Sequence, residues 1–268
     1  MSVIQGIILG FLQGVAEFLP ISSSGHLAVA QYLFGLDEVP LLFDIFLHLA
    51  TLAAVCLYFW KKIWKLLVCF GRWVSRKTPS EDDIAGRKTI IAIILSTIVT
   101  GIMGVVSSKI IPDMSIKITC AGFLITALLL ILSSRISKKN NSNNQVVTKR
   151  QSLFIGFMQG IGTLPGISRS GSTIAGALLC GVNQKTAGDY SFIISIPAIL
   201  GAFILELKDL GEVSEIVGAA PVIAGCAAAF AVGYISLTLL MKMIKNGKLQ
   251  WFAAYLIPLG IAGMIFFK

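Results

Sequence analysis

Residues 10–27, GFLQGVAEFLPISSSGHL, and residues 156–173, GFMQGIGTLPGISRSGST, align without a gap when the chain is laid on itself at an offset of 146 residues. Eight of the eighteen aligned positions are identical: Gly10/Gly156, Phe11/Phe157, Gln13/Gln159, Gly14/Gly160, Ile21/Ile167, Ser22/Ser168, Ser24/Ser170 and Gly25/Gly171. Chance similarity between apolar segments yields Leu, Ile and Val matches, whereas most of these identities are Gly, Ser and Gln. The chain reads as a duplication, and both copies should adopt the same local form.

The motifs sit in apolar surroundings. With 56% hydrophobic residues, 13% charged residues and a mean hydropathy of +0.85, the 268 residues carry more apolar surface than one soluble core can hide. The bilayer is the expected solvent. Stretches 41–60, 89–107, 116–134, 188–206, 218–241 and 251–267 each approach the ~20 apolar residues that cross the hydrocarbon as a helix. The fold class is therefore an all-α polytopic membrane protein with six full spans. No Lys or Arg precedes the first apolar run, which carries Gln5, Gln13 and Glu17, so this segment is expected to stay in the mature chain. Cys56, Cys69, Cys120, Cys180 and Cys226 lack CxxC spacing and read as small packing residues.

A net charge of +9 raises the question of nucleic acid, and the placement of the charge answers it. Of 22 basic residues, eight lie in 61–88, five in 135–150 and three in 242–248, all beside spans. Segments 34–42, 107–117 and 205–217 carry only Lys109, Lys117 and Lys208 against seven acids. This is the positive-inside pattern, which points to membrane orientation and away from nucleic acid.

Each half then reads as one motif segment followed by three spans. The first repeat, 1–134, holds the motif segment 3–33 and spans 41–60, 89–107 and 116–134. A polar cytoplasmic linker, 135–150, leads to the second repeat, 151–268, with motif segment 151–182 and spans 188–206, 218–241 and 251–267. Three crossings per half invert the second copy. The basic loops share one face only if each motif segment crosses an even number of times, so both motif segments are expected to be re-entrant. Both chain termini then fall outside.

Val3 to Leu19 is short for a crossing, and Pro20 with Ser22-Ser23-Ser24-Gly25 interrupts the helix. Each motif segment should therefore be helix, break, helix. Irregular backbone at membrane depth is tolerated only where protein or a watery cavity satisfies it, so the two breaks should face each other. Gly6, Gly10 and Gly14, like Gly156 and Gly160, recur every four residues and offer smooth faces for close helix packing.

Ionisable groups in such segments are expensive, which makes Glu17, His26 and Arg169 functional candidates. Gln13 and Glu17 share a helix face, and Glu17 reads as a base, a cation ligand or a brace for the turn. The hydroxyls of Ser22, Ser23 and Ser24 stand where a second helix begins, where free amides and partial positive charge favour phosphate; they could equally be plain N-caps. His26 adds a titratable donor or base, or else a hydrogen-bonded core residue. Arg169, flanked by Ser168 and Ser170, suits phosphate oxygens, and Glu17 is the evident partner if it is instead a structural ion pair. Asp44/His48 and Lys185/Asp189 are weaker i, i+4 pairs, the latter expected to be a helix salt bridge. Tyr58, Trp60, Trp64, Trp251 and Tyr255 read as an interfacial belt.

Together these residues resemble the undecaprenyl-diphosphate phosphatase (bacitracin-resistance) family, which carries an (E/Q)xxxE motif ahead of a serine-rich stretch ending in Gly-His, and a PGxSRSxxT box in its second half. Here the first motif is Gln13-x-x-x-Glu17 with Ser22-Ser23-Ser24-Gly25-His26, and the box is complete from Pro165 to Thr173. The resemblance implies two inverted repeats and hydrolysis of undecaprenyl diphosphate to undecaprenyl phosphate and phosphate. It also implies a divalent cation (Mg2+ or Ca2+), a homodimer in the bacterial cytoplasmic membrane, and a site opening to the outer face. On this reading Glu17, Ser23, His26 and Arg169 are catalytic. Ser22, Ser24, Gly25, Gly166, Ser168, Arg169, Ser170 and Thr173 bind the substrate phosphates, and Glu17 with Gln13 holds the metal. Many members have glutamate where this chain has Gln13, which weakens a two-carboxylate metal site. Ser23 is the expected nucleophile, with water as the other choice. A polyprenyl-phosphate flippase or secondary transporter using the same repeat is the alternative, and phosphate release in detergent separates it from an enzyme.

Overall fold

A computed structural model describes residues 1–36, 41–110, 115–137, 146–206 and 218–267. All regular elements among them are helices: α1 (Val3–Phe18), α2 (Ser23–Leu33), α3 (Leu41–Tyr58), α4 (Trp60–Val74), α5 (Glu81–Ile110), α6 (Ile116–Ser137), α7 (Lys149–Ile161), α8 (Arg169–Leu179), α9 (Gln184–Glu206), α10 (Ala219–Lys245) and α11 (Trp251–Phe266). Much of the expected outer loops, and half of the 135–150 linker, lie outside the described residues.

The duplicated motifs fold alike. Ser2 and Thr148 each begin a capping box, with Gln5 and Gln151 as the third residues. The Ser2 hydroxyl accepts from the Gln5 N–H at 3.2 Å and the Thr148 hydroxyl from the Gln151 N–H at 3.3 Å. Both first helices then break, and both second helices restart behind a serine N-cap, Ser22 or Ser168. α2 and α8 start 146 residues apart, the same offset as the sequence match. In the first copy the break falls at Pro20, which has no N–H to extend the helix.

α1 packs most extensively on α10, and α7 on α5, while α6 packs on α11. The glycine spacing explains how backbones come this close. A Cβ on Gly10 would sit 2.1 Å from the Gly225 carbonyl oxygen, and one on Gly156 would sit 2.7 Å from the Ser96 carbonyl oxygen. Thr100 ties α5 to α7 by donating to the Gly156 carbonyl at 3.0 Å, and Ser96 does the same to the Ser152 carbonyl at 2.7 Å.

α5, α6, α9 and α10 are long and apolar enough to cross a membrane, and the α3–α4 pair makes a fifth if it is one broken span. α1 and α11 are apolar but shorter. Burial differs from that of a soluble protein, with an apolar core enclosed by an apolar exterior and buried polar groups inside. Ile98, Ile102, Ile223 and Ile265 are exposed, whereas Gln13, Ser96, Gln159, Ser168 and Thr173 are buried.

Segment 61–88, read from sequence as a loop, is largely helical. α4 runs on from α3 at a bend of 80°, placing Trp60, Trp64, Leu67 and Val74 on an exposed apolar stripe and Lys61, Lys62, Lys65 and Arg72 elsewhere on the helix. This is an amphipathic helix that a hydropathy scan for spans passes over. The Lys185–Asp189 pair is also corrected, because Asp189 forms its ion pair with Lys62 of α4. A cross-helix cation reached the carboxylate that sequence spacing had assigned to its own helix.

Candidate active site

The breaks between α1 and α2 and between α7 and α8 meet. The Ser170 hydroxyl donates to the Phe18 carbonyl at 3.1 Å. A Cβ on Gly171 would lie 3.2 Å from Pro20 Cβ, and one on Gly25 the same distance from Gly166 Cα. Between the breaks lies a cavity of about 190 Å3, lined by Glu17, Ser22, Ser23, Ser24, Thr163, Ser168 and Arg169, with His48 and Thr100 from the surrounding helices. A larger cavity of about 620 Å3 lies beside α4, the start of α5 and α9, and Lys62–Asp189 and Arg72–Asp83 ion pairs lie along its lining. The smaller one holds the unusual chemistry.

Glu17 is its centre. Only 6% exposed, its carboxylate is surrounded by donors from four segments. Oε2 accepts from Gln13 Nε2 at 3.1 Å and from Ser23 Oγ at 2.6 Å, and lies 3.3 Å from His48 Nε2. Oε1 accepts from Arg169 Nη2. Both readings of Arg169 are thus represented: it is paired with Glu17 and it also lines the cavity. Its other terminal nitrogen, Nη1, is buried with no protein partner among the described residues. A guanidinium with one arm on a carboxylate and one arm spare can engage a phosphate oxygen without first being freed.

Both second helices start at this cavity. Ser22 caps α2, accepting from the Gly25 N–H at 3.4 Å, and Ser168 caps α8, accepting from the Gly171 N–H at 3.0 Å. Two helix N-termini converge here with their unpaired amides and partial positive charge, a disposition suited to an anion. Ser22 adopts φ +70°, the left-handed region that non-glycine residues rarely occupy. The strained residue directly precedes Ser23.

Other expected site residues serve the walls instead. Gly166 has φ +82°, and a Cβ there would lie 1.8 Å from the Thr119 carbonyl oxygen, so its role is a tight crossing with α6. Gly25 faces the Phe123 ring. Thr173 donates to the Arg169 carbonyl at 2.9 Å and meets the Ser191 hydroxyl, bracing the first turn of α8. Gln13 stands behind Glu17, with its Oε1 buried and without a protein partner among the described residues.

The two histidines exchange their expected places. His26 turns away from the cavity. Its Nδ1 lies 2.8 Å from the Ser22 carbonyl and its Nε2 2.8 Å from the Tyr255 hydroxyl of α11, with the rings stacked. His48, noted from sequence only as one member of an i, i+4 pair, is the imidazole that reaches Glu17. The signal was present as an ionisable residue within an apolar span, but its partner stands 31 positions earlier and on another helix.

Comparison with known proteins gives this arrangement its family. The profile described as "Bacitracin resistance protein BacA" matches residues 6–262. A Treponema denticola protein named undecaprenyl-diphosphatase is 50% identical over 267 residues, covering 100% of this chain and 98% of its own. Proteins of the same name from Methanosphaera stadtmanae and Borrelia hermsii are each 38% identical, over 99% and 96% of this chain and 98% and 96% of their own. With its apolar helices this makes the chain a multi-pass membrane protein. It belongs to the bacitracin resistance protein BacA family.

Proposed function

We propose that this protein is an integral-membrane hydrolase that converts undecaprenyl diphosphate to undecaprenyl phosphate and inorganic phosphate, regenerating the lipid carrier used in peptidoglycan synthesis. The family and the shared name of its relatives support the reaction. The observation that carries the chemistry is the Ser23 hydroxyl 2.6 Å from a buried carboxylate, with Arg169 beside it. A flippase or transporter needs groups that bind a phosphate but has no use for a hydroxyl poised on a base, and that alternative draws no support from the relatives' names.

In the mechanism, the terminal phosphate lies between the N-termini of α2 and α8, held by Arg169 and the serine hydroxyls. Ser23 Oγ attacks the terminal phosphorus and its proton passes to Glu17 Oε2. The bond from phosphorus to the bridging oxygen breaks, and undecaprenyl phosphate leaves with the bridging oxygen, taking the proton from Glu17. Water then attacks the phosphoserine, losing a proton to the ionised Glu17, and phosphate departs as Glu17 returns that proton to Ser23 Oγ. His26 faces Tyr255 and takes no part in these transfers.

A divalent cation, Mg2+ or Ca2+, fits in part. Glu17 and the free Oε1 of Gln13 are the protein oxygens that would hold it, and substrate phosphate oxygens would complete its ligands. Such a cation neutralises charge developing on the transferred group.

The same proposal covers the topology. Two inverted repeats, 1–134 and 151–268, each with a re-entrant pair and three spans, would place the site facing the outer side of the cytoplasmic membrane, in a homodimer. The matched helix breaks support the two repeats, as does the reciprocal packing of α1 on α10 and α7 on α5. Purified protein in detergent should release phosphate from undecaprenyl diphosphate, with chelator suppressing the rate. Absence of phosphate release from folded wild-type protein would defeat the reading.

A further inference from the structure

We propose that His48 is a positioning residue of this reaction: it donates from Nε2 to Glu17 and holds the carboxylate in the orientation that takes the Ser23 proton. The inference rests on the reading of Glu17 as base and Ser23 as nucleophile. A carboxylate as deeply buried as Glu17 is costly without donors, and each of its four donors has a different freedom to stay. Ser23 gives up its hydrogen bond when it reacts. Arg169 divides its guanidinium between the other oxygen, Oε1, and the phosphate. Gln13 is a helical neighbour on α1 and moves with Glu17. His48 alone comes from an element outside the two motif segments and touches the same oxygen as Ser23.

Its ring is fixed independently of the substrate. Nδ1 lies 2.7 Å from the Asp44 carbonyl, which can only accept, so that nitrogen carries a hydrogen, and with Nε2 donating to Glu17 the ring is the imidazolium form. The Asp44 carboxylate in turn accepts from Gln31 Nε2 at 2.8 Å. Gln31 is on α2, the helix that begins at Ser23, so the end of α3 bearing His48 is latched to the helix bearing the nucleophile. A positioned donor of this kind acts on the chemical step and leaves substrate affinity largely alone.

The test compares kcat and KM for undecaprenyl diphosphate in detergent-purified wild type, His48→Ala and His48→Gln, with monodispersity and thermal unfolding checked for each. His48→Ala should lower kcat roughly 10- to 100-fold with KM within about threefold of wild type. His48→Gln, whose amide nitrogen can donate to the same oxygen, should recover most of that loss. Wild-type kcat in His48→Ala, equal loss in both variants, or an effect confined to KM would each overturn the proposal. Should His48→Ala fail to remain monodisperse, His48→Leu, which fills the volume without donating, replaces it in the comparison. Failure of the underlying reading looks different: Glu17→Ala would then turn over like wild type, whatever the His48 variants do.

Discussion

Ser23 Oγ and Glu17 Oε2 are 2.6 Å apart across a helix break, the hydroxyl on the first turn of α2 and the carboxylate on the last turn of α1. Pro20 ends one helix, and the cap at Ser22 starts the next in a strained conformation. The break that costs backbone hydrogen bonds is thus what lets two residues only six apart face each other side chain to side chain.

Ser23→Ala and Glu17→Gln should each lower kcat by about 100-fold or more, the scale of losing a nucleophile or its base. Phosphate release from purified protein measures both. Ser23→Ala with near-native turnover would transfer the attack to water. A phosphoserine trapped in wild type and mapped to Ser23 would fix it there.

Arg169→Lys keeps the charge but loses the fork that places one arm on Glu17 and leaves Nη1 free. A drop of roughly 100-fold in kcat/KM is expected. Arg169→Ala should add a stability defect, about 3 kcal/mol, because the buried Glu17 loses the partner on Oε1. Thermal unfolding in detergent separates the two variants: Lys close to wild type, Ala clearly lower.

Helix packing offers a contrast within one residue type. Gly10→Ala forces a methyl to within 2.1 Å of the Gly225 carbonyl oxygen, backbone against backbone, so α1 and α10 must separate. A loss of roughly 2 kcal/mol or more is expected. Gly101→Ala on α5 meets nothing within 4 Å and should be neutral or stabilising by up to about 1 kcal/mol, since alanine favours helix. Equal unfolding temperatures for the two would contradict the close crossing.

The repeat made much of this visible in advance. Breaks and restarts are local events written in residues such as Pro20, Ser22 and Ser168, and the offset of 146 carries the serine cap from one copy to the other. Hydropathy likewise marks α5, α6, α9 and α10. What it misses is relational. α4 alternates basic and apolar faces and so has neither the hydropathy of a span nor the look of a helix in a basic loop. His48 is one imidazole in an apolar run until α3 is docked beside α1. His26 sits in the motif, but the residue that decides its direction, Tyr255, is 229 positions away.

That last contact makes a prediction about His26 itself. Its Nδ1 reaches the carbonyl of Ser22, the strained cap beside Ser23, and its Nε2 reaches Tyr255 on α11. A histidine that braces the break through Tyr255 and a histidine that transfers protons differ in how their loss combines with loss of the tyrosine hydroxyl. In the bracing role, Tyr255→Phe removes the anchor and His26→Phe removes the whole strut. The double variant should then be little worse than His26→Phe alone, a coupling of roughly 1 kcal/mol in a double-mutant cycle on kcat/KM. A histidine working directly on the phosphate would instead lose activity independently of Tyr255, and the two effects would add. Additive losses in that cycle would therefore move His26 back into the chemistry and require α2 to turn its first helical turn toward the cavity during turnover.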